Sequence, residues 1–404
     1  MRLINQYITV ISFIAPLVIY TMIFWGCHHE ETMKFSFHVG TDSLILKNFT
    51  GGVGSVKFLE QGDSVFVFML NSAGDKFCRV SYTPYLTTDI SVVSIPTQLR
   101  ENKVAGIQQA RSILPISTDS IMFAQKTDDY GFIFSLYVMS TGTIQPIYIS
   151  KPENRIFFQE LPEDGINWKY DKKLRKIIVA IVRQDDYDVR PYPIGTEALA
   201  GIDIATGEFE ILPLKYPVNY EEKYQSNISR SEYFCLNDSL VVLTFAMHDT
   251  AFIYNTTTGI CSKKCMASKS DRQFLTISQD DYENCETEKL RDANLRSFKY
   301  RSVFYDPYRK MYFRFYEQFM PAKNNDGLFN IWSDKQIGFA CFDQEFNYIG
   351  EDCFGKMGDA DVMFIATGQP VRRGMLLFLN YNQTQGSVTA NNLLRLMLIQ
   401  VETN

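Results

Sequence analysis

The sequence predicts an all-β protein, a six-bladed β-propeller of four-stranded antiparallel blades preceded by a lipoprotein signal segment. Three observations support this fold class: short strand-like runs, glycine turns of one kind between them, and an internal repeat of about 67 residues. The composition agrees with it. Of the 404 residues, 46% are hydrophobic and 21% are charged, which is globular and excludes disordered or collagen-like chains.

The strand-like runs are rich in β-branched and aromatic residues and are bounded by turn residues. Four typical runs are Ser64–Leu70, Ile177–Val182, Leu240–Phe245 and Met311–Tyr316. Each has the length of a strand rather than of a helix, and long helical periodicity is nearly absent. The short connections between such runs predict antiparallel hairpins.

Turns of one kind recur along the chain, each ending in a glycine after small polar residues. They lie at Asn71–Gly74, Ser140–Gly142, Ala205–Gly207 and Thr257–Gly259, and the glycines are 68, 65 and 52 positions apart. Glycine supplies the positive φ that a tight hairpin turn requires. The same register predicts the next equivalent turn at Asp343–Glu345, with Asn324–Gly327 as an insertion.

A sequence pattern that occurs twice in the chain supports this register. The segment Trp168–Ile178 and the segment Val303–Tyr312 both contain an aromatic residue, Tyr-Asp, a turn, Arg-Lys and then a strand. Tyr170 and Tyr305 are 135 positions apart, which equals two units of about 67. Hairpin repeats of this size indicate propeller blades with long loops.

The length sets the number of repeats. The 378 residues from Cys27 onward give six units of 63, which fits better than seven or eight blades. Ring closure would pair an early strand, at Lys34–Phe37 or Ser43–Lys47, with the strands between Leu393 and Val401, which removes free sheet edges. Two β-sandwiches of about 190 residues each are the alternative architecture.

The N-terminus carries a targeting segment. An apolar run at Ile8–Trp25 ends in Phe24–Cys27, which resembles a bacterial lipobox, although Trp25 departs from the small residue usual there. We expect residues 1–26 to be a signal peptide, 27–34 a lipidated tether and 35–404 the propeller domain. Acyl chains on Cys27 would make the membrane a partner. An uncleaved membrane helix is the alternative.

The tether and the repeats together resemble a known family. The lipobox, the hairpin units with their Tyr-Asp-turn-Arg-Lys-strand pattern and the total length resemble uncharacterised propeller lipoproteins of gut Bacteroides, described only by a domain of unknown function and of the six-bladed, TolB-like type. Acidic residues at Glu30–Glu31 resemble the surface-export signal of Bacteroidetes lipoproteins. The resemblance implies the outer membrane, on its periplasmic or cell-surface side, and implies no catalytic residues.

The sequence excludes several kinds of chemistry. It has four histidines, two of them adjacent in the tether, so a Ser-His-Asp triad or a three-histidine metal site is not expected. The glycine-rich segment Gly51–Ser55 lacks the Lys-Ser/Thr ending of a P-loop. We predict no cofactor and no metal. A formal charge of −6 makes nucleic acid an unexpected partner.

Aromatic residues beside carboxylates in predicted loops are the candidate ligand contacts. They are Trp332 with Asp334, and Tyr187 with Asp186 and Asp188. Such pairs suit sugar rings, which have apolar faces and hydroxyl edges. Inter-blade packing for the aromatic residues and a solvated loop for the acids are the alternatives.

Two functions remain open at this point. The first is a non-catalytic binding or scaffold propeller of the cell envelope for a glycan, a peptide or a partner protein. The second is a propeller enzyme, a hydrolase or lyase acting on glycans, with carboxylates at the channel mouth. Two carboxylates about 5 to 10 Å apart in one pocket would favour the enzyme.

Overall fold

A computed structural model of the chain describes most of the predicted propeller domain. The described residues are 35–46, 53–62, 64–71, 73–83, 86–99, 107–127, 131–149, 156–161, 165–183, 196–217, 232–275, 284, 287–331, 334–356, 368–372, 374–383 and 392–403. The sheets lie in one compact unit, Ser36–Glu402. A second unit comprises Met1–Phe35 with Thr403–Asn404 and is almost wholly outside the described residues.

Nearly all regular elements are strands, as the sequence predicts. The strands of the first half are β1 (Phe35–Leu46), β2 (Val53–Gln61), β3 (Ser64–Asn71), β4 (Lys76–Thr83), β5 (Leu86–Ser94), β6 (Ile107–Pro115), β7 (Ser120–Thr127), β8 (Phe132–Val138), β9 (Thr143–Ile149), β10 (Ile156–Phe158), β11 (Glu160–Leu161), β12 (Gly165–Ile166), β13 (Trp168–Asp171) and β14 (Lys176–Arg183). Those of the second half are β15 (Leu199–Asp203), β16 (Phe209–Ile211), β17 (Glu232–Asn237), β18 (Leu240–Phe245), β19 (Thr250–Asn255), β20 (Cys261–Cys265), β21 (Lys299–Asp306), β22 (Met311–Glu317), β23 (Gln336–Asp343), β24 (Tyr348–Lys356), β25 (Gly368–Val371), β26 (Gly374–Gln383) and β27 (Asn392–Thr403). A helix, α1 (Thr287–Arg296), precedes β21, and a 3₁₀ turn spans Thr97–Leu99.

Consecutive strands form antiparallel sheets. Four sheets have the orders β2-β3-β4-β5, β6-β7-β8-β9, β17-β18-β19-β20 and β21-β22-β23-β24. A further sheet contains β13, β14, β15 and β16, with β10 also paired to β14. Another sheet has the order β1-β27-β26-β25, so an N-terminal strand joins C-terminal strands, as the ring-closure argument predicts.

The first strands of the sheets follow one another in a closed order. Each lies beside the first strand of the next sheet, in the order β2, β6, β13, β17, β21, β25 and back to β2. Four-stranded antiparallel sheets are therefore arranged as a β-propeller, which confirms the predicted all-β propeller of antiparallel four-stranded blades. The alternative of two β-sandwiches is wrong.

Hydrophobic clusters fill the interfaces between neighbouring sheets. Phe68, Phe77 and Phe123 belong to the cluster between sheets β2–β5 and β6–β9, and Phe134 and Trp168 to the next one. Two similar clusters join the sheets that follow. A lone sheet would expose both of its apolar faces, so each sheet depends on its neighbours for burial.

One interface also contains a buried arginine. Arg314 in β22 is fully buried and donates hydrogen bonds to the carbonyl oxygens of Phe245 at 3.1 Å, His248 at 2.6 Å and Met266 at 2.7 Å. Its guanidinium carbon lies 3.4 Å from the ring centroid of Tyr300. Arg314 therefore ties its sheet to the neighbouring sheet β17–β20.

The predicted turns are hairpins, but one of them occupies a different position in its sheet from the others. Gly142, Gly207 and Gly259 have positive φ and lie between the third and fourth strands of their sheets, whereas Gly74 lies between the second and third. The predicted turn at Asp343 does join the third and fourth strands, and Phe346, with φ of 70°, takes the place of glycine. Both kinds of hairpin need the same turn chemistry, so spacing alone did not separate them.

Candidate ligand-binding cavity

A cavity of about 330 Å³ lies where the first strands converge, and we call it the axial cavity. Each first strand named in the closed order contributes to its lining. The lining residues are Lys57, Phe58, Leu59, Glu60, Leu114, Pro115, Trp168, Lys169, Tyr170, Lys172, Cys235, Leu236, Phe304, Tyr305, Gly368, Gln369 and Pro370. Most lie towards the end of a first strand, so the cavity is on the side of the turns that lead into the second strands.

Two of these turns share the Tyr-Asp pattern found in the sequence. Asp171 Oδ1 accepts the backbone N–H groups two and three residues later at 2.9 and 3.0 Å, and Asp306 Oδ1 does the same at 2.9 and 3.2 Å. Arg175 and Lys310 then adopt φ values of 56° and 53°. The aspartates thus stabilise the turns and fix where the preceding aromatic residues meet the cavity.

The charged side chains of the lining are mostly cationic. Lys57 comes from β2, Lys169 from β13 and Lys172 from the turn after β13, while Glu60 is the one carboxylate among the described lining residues. Lys169 Nζ lies 5.6 Å from the ring centroid of Phe304. The ring makes a cation–π contact with the ammonium group.

At the mouth of the cavity, the turn between β21 and β22 makes hydrogen bonds to neighbouring segments of the chain. The Tyr308 hydroxyl donates a hydrogen bond to Glu60 Oε1 in β2. Arg309 donates to the carbonyl oxygens of Val371 at 3.3 Å and Arg372 at 2.9 Å. This turn therefore contacts two other strands of the ring, and it holds Glu60 at the edge of the cavity.

Burial has the largest effect on the pKa values of Glu60 and Tyr308. It raises the pKa of Glu60, and the hydrogen bond from Tyr308 and the charges of Arg372 and Lys172 oppose the rise only in part. Burial, together with Glu60, raises the pKa of Tyr308 to about 12. The phenol consequently stays protonated and acts as the donor.

Trp168 supplies a buried donor at the cavity. Its side chain is 1% exposed, and its indole N–H donates no hydrogen bond to any residue in the described ranges. Its ring packs against Phe134, with 5.2 Å between centroids. A buried N–H without an acceptor costs about 1 to 3 kcal/mol.

Cys235 does not offer a nucleophile. Burial raises the pKa of its thiol to about 12, and the positive charge of Lys169 lowers it by a smaller amount. The nucleophilic form of cysteine is the thiolate, so a thiol with this pKa is unreactive at neutral pH. Cys235 belongs to the apolar wall of the cavity.

A second group of charged residues lies at the other end of sheet β21–β24, and we call it the buried ion cluster. It consists of Lys299, Arg301, Glu317 and Lys335. Glu317 is 1% exposed and pairs with Arg301 and, at 2.9 Å, with Lys335 Nζ. Burial raises the pKa of Glu317, but its cationic neighbours outweigh burial and lower the pKa to about 2.

Comparison with known proteins assigns the chain to a family. A family model described as a domain of unknown function, DUF4221, matches residues 105–353, more than half of the chain. The chain belongs to the DUF4221 family. No curated protein matches its sequence.

The solved structure of another DUF4221 member supports the fold of this chain. A crystal structure of a DUF4221 member from Bacteroides vulgatus matches with a TM-score of 0.64 and 16% identity, over 93% of this chain and 100% of that chain. A PQQ-bound aldose sugar dehydrogenase from Streptomyces coelicolor matches with a TM-score of 0.45 and 10% identity, over 92% and 99% of the two chains. A calcium-binding regucalcin from Agrobacterium tumefaciens matches with a TM-score of 0.41 and 9% identity, over 87% of this chain and 92% of that chain. The latter two carry no argument about this chain.

The residues singled out from the sequence fall outside the cavity lining or outside the described residues. Cys27, Trp332, Asp186, Tyr187 and Asp188 lie outside the described residues.

Asp334 lies in the connection between β22 and β23, at the end of the sheet opposite the axial cavity. Its Oδ2 accepts the backbone N–H of Ile331 at 3.0 Å, and its Oδ1 lies 3.7 Å from Lys356 Nζ. That Asp334 contacts a ligand in this DUF4221 protein therefore stays a prediction.

Sequence reasoning missed the lysines and Glu60, although one signal pointed towards them. The Tyr-Asp echo placed Tyr170 and Tyr305 at matching ends of strands, and both line the cavity. In a propeller, matching ends of first strands surround the axis, so the neighbours of these tyrosines were candidates. Within the described ranges, no three His, Cys, Asp or Glu residues are grouped to hold a metal ion.

Proposed function

We propose that this DUF4221 protein is a non-catalytic cell-envelope lipoprotein whose propeller binds a small ligand in the axial cavity. The observation that carries the proposal is the cavity itself. At about 330 Å³ it falls at the lower end of the range for ligand sites, and it combines aromatic walls with a few polar groups.

The lining favours binding over glycoside hydrolysis. Hydrolysis of glycosidic bonds requires two carboxyl groups about 5 to 10 Å apart. Glu60 is the single carboxylate among the described lining residues, and it accepts the hydrogen bond of Tyr308. Of the two carboxyl groups that a glycosidase needs, the described lining supplies one, that of Glu60.

A cavity-filling variant tests the site. Leu236 lines the cavity, and Leu236→Trp would occupy part of its volume. Leu328 is 65% exposed on the connection between β22 and β23, so Leu328→Trp is a matched control. We would screen monosaccharides, oligosaccharides and short peptides by calorimetry and assay each bound compound for turnover.

The expected result is a ligand whose affinity falls at least about tenfold in Leu236→Trp and stays unchanged in Leu328→Trp. A ligand that binds both variants like the wild type would overturn the cavity as the site. Conversion of a bound glycan would overturn the non-catalytic role and favour the hydrolase or lyase.

The envelope location rests on Cys27. The lipobox-like Phe24–Cys27 supports acylation there, and residues 27–34 would reach at most about 27 Å from the membrane at about 3.4 Å per residue. In a Bacteroides host, Cys27→Ala should abolish incorporation of labelled palmitate and release the protein from outer-membrane fractions. Unchanged labelling would refute the anchor. No helix in the described ranges is long and apolar enough to cross a membrane.

We also propose six blades. The closed order of six first strands and the sheet that combines β1 with β25–β27 support this number. Removal of β1 by truncation to residue 47 should expose β27 as a free edge and cause aggregation. A crystal structure with another blade count would contradict the proposal.

A second contact surface is proposed on the loops. Trp332 with Asp334, and Tyr187 with Asp186 and Asp188, combine aromatic and carboxylate side chains in long connections. Glycan binding that is lost in Trp332→Ala or Asp186→Ala, and kept in Leu236→Trp, would move the site from the cavity to these loops.

A further inference from the structure

The turn between β21 and β22 places one side chain on a sheet that it does not adjoin. In the closed order of first strands, β25 stands between β21 and β2. The Tyr308 hydroxyl nevertheless donates a hydrogen bond to Glu60 Oε1 on β2, past the end of β25. Glu60 lines the axial cavity, so the phenol of Tyr308 crosses the edge of the mouth on the side of β25.

The backbone that carries Tyr308 is held in place on both sides. Asp306 Oδ1 accepts the backbone N–H groups of Tyr308 at 2.9 Å and of Arg309 at 3.2 Å. Arg309 then donates to the carbonyl oxygens of Val371 at 3.3 Å and Arg372 at 2.9 Å, where β25 turns into β26. Because these contacts fix the turn, only the Tyr308 side chain has to rotate for its hydroxyl to leave the mouth.

The equivalent turn of another sheet carries a lysine at this position. In the turn between β13 and β14, Asp171 Oδ1 accepts the same two backbone hydrogen bonds, at 2.9 and 3.0 Å. Lys173 occupies the position that corresponds to Tyr308, and it is exposed. The turn therefore does not require a tyrosine at this position, because the aspartate and the backbone make its hydrogen bonds. What Tyr308 adds is the contact with β2.

The Tyr308 side chain can leave its position with little loss of burial. It is 42% exposed, although its hydroxyl is bound to Glu60 and also forms a side-chain hydrogen bond with Arg372. An exposed side chain changes rotamer within nanoseconds once it is released, so these hydrogen bonds determine how often the mouth opens. Loss of one such hydrogen bond changes an equilibrium constant by roughly fivefold.

We propose that the hydrogen bond between Tyr308 and Glu60 is a latch at the mouth of the axial cavity, and that its opening sets the rate at which a ligand enters and leaves. We call the two residues the mouth latch. This inference rests on the proposed ligand-binding function of the cavity and adds the control of access to it. The open and closed positions differ by the rotation of one side chain, while the sheets keep their arrangement.

Thiol labelling measures access to the cavity and needs no known ligand. Leu236 lines the cavity from β17, which two first strands separate from β2 in either direction around the closed order. Leu236→Cys therefore places a reporter thiol in the cavity, away from the mouth latch. The full chain with this reporter is the reference, and it would be compared with the same chain carrying Tyr308→Phe, Glu60→Ala, both, or the control Tyr254→Phe. Tyr254 lies on β19, outside the cavity lining. Each protein would be treated with N-ethylmaleimide, and mass spectrometry would follow the modification of each cysteine.

We expect Tyr308→Phe and Glu60→Ala each to raise the labelling rate of the reporter thiol about fivefold, because each removes the same hydrogen bond. The double variant should be no faster than the faster single variant, since the two residues act through one contact. Tyr254→Phe should leave the rate unchanged. Cys353 is exposed and outside the cavity lining, so its labelling rate should be the same in every variant.

Two further measurements keep the test decisive. Glu60→Gln keeps an oxygen that accepts a hydrogen bond from Tyr308, so its labelling rate should lie between that of the reference and that of Glu60→Ala. The native thiol of Cys235, which also lines the cavity, serves as a second reporter should thermal unfolding show that Leu236→Cys is not folded.

The outcomes separate the latch from the proposed function. Reporter labelling that neither Tyr308→Phe nor Glu60→Ala accelerates would overturn the latch and leave the cavity as the ligand site. Equal acceleration at the reporter and at Cys353 would indicate general loosening of the fold and would also overturn the latch. Acceleration confined to the reporter would support the latch as the control of access, while the ligand screen with Leu236→Trp tests the site separately.

Discussion

The axial cavity and the buried ion cluster are two lysine-rich regions at opposite ends of the same propeller sheet. In the cluster, Lys335 is fully buried, and its Nζ lies 2.9 Å from Glu317 and 2.7 Å from the carbonyl oxygen of Ser297. In the cavity, Lys57 and Lys169 are partly exposed and border open volume. The same residue type therefore occupies two different environments.

The difference indicates which charges serve the fold and which serve a ligand. Breaking a buried ion pair leaves an uncompensated charge and is strongly destabilising, whereas a partly exposed lysine keeps access to water. We infer that the cluster affects stability and that the cavity lysines affect binding. Substitutions in the two regions should therefore have different effects.

Glu317→Gln should have the largest effect on stability. It removes the carboxylate that Arg301 and Lys335 share, and the expected loss is about 3 to 5 kcal/mol of unfolding free energy. Urea unfolding followed by circular dichroism would measure it. Glu345→Gln, on an exposed turn, is the control and should stay within about 0.5 kcal/mol. Equal stability of the two variants would show that the cluster does not stabilise the fold.

Acid should act through the same residue. The pKa of Glu317 is lowered from 4.5 to about 2, so its contribution is present above pH 4.5 and is lost as the pH falls towards 2. A shift of this size corresponds to roughly 3 kcal/mol. The pH dependence of unfolding between pH 5 and 2 should be shallower in Glu317→Gln than in the wild type. Parallel curves for the two proteins would contradict this assignment.

Tyr308→Phe should have a modest effect. It removes the hydrogen bond to Glu60 at the cavity mouth, where Tyr308 is 42% exposed, and we expect a loss of at most about 1 kcal/mol. Because that hydrogen bond lowers the pKa of Glu60, its removal should raise this pKa further. Carboxyl-labelled NMR titration would detect the change, and a fall in the pKa would contradict the assigned geometry.

Lys172→Gln should have the smallest effect on stability, within about 0.5 kcal/mol, because this lysine is exposed on a turn. It nevertheless lines the axial cavity, so the substitution should affect ligand binding more than stability. Thermal unfolding and binding of a ligand found in the calorimetric screen would be measured side by side. A large loss of stability would show that Lys172 stabilises the fold as the cluster residues do, and would contradict the difference between the two regions.

Much of the fold was predictable because its periodicity is local. The runs at Leu240–Phe245 and Met311–Tyr316 became β18 and most of β22, and the echo of Tyr170 in Tyr305 identified equivalent hairpins two sheets apart. Gly74 was assigned to the wrong hairpin of its sheet, because a glycine with positive φ marks a tight turn and not its position in a blade.

The candidate site was less predictable because it is assembled from distant segments. Glu60 and Tyr308 are 248 positions apart, and only the closed order of the sheets brings them together. Trp168 is buried in the core and also lines the cavity, although the sequence marks it only as the start of a repeated segment. Contacts of this kind depend on the closed order of the sheets, and the local sequence does not predict them.

A crystal structure grown with a saturating concentration of a ligand found in the calorimetric screen tests the central claim most directly. The account predicts that this ligand lies in the axial cavity, in contact with the aromatic lining and with Leu236. A ligand bound instead at the opposite end of the sheets beside Asp334, with the cavity empty, would contradict it.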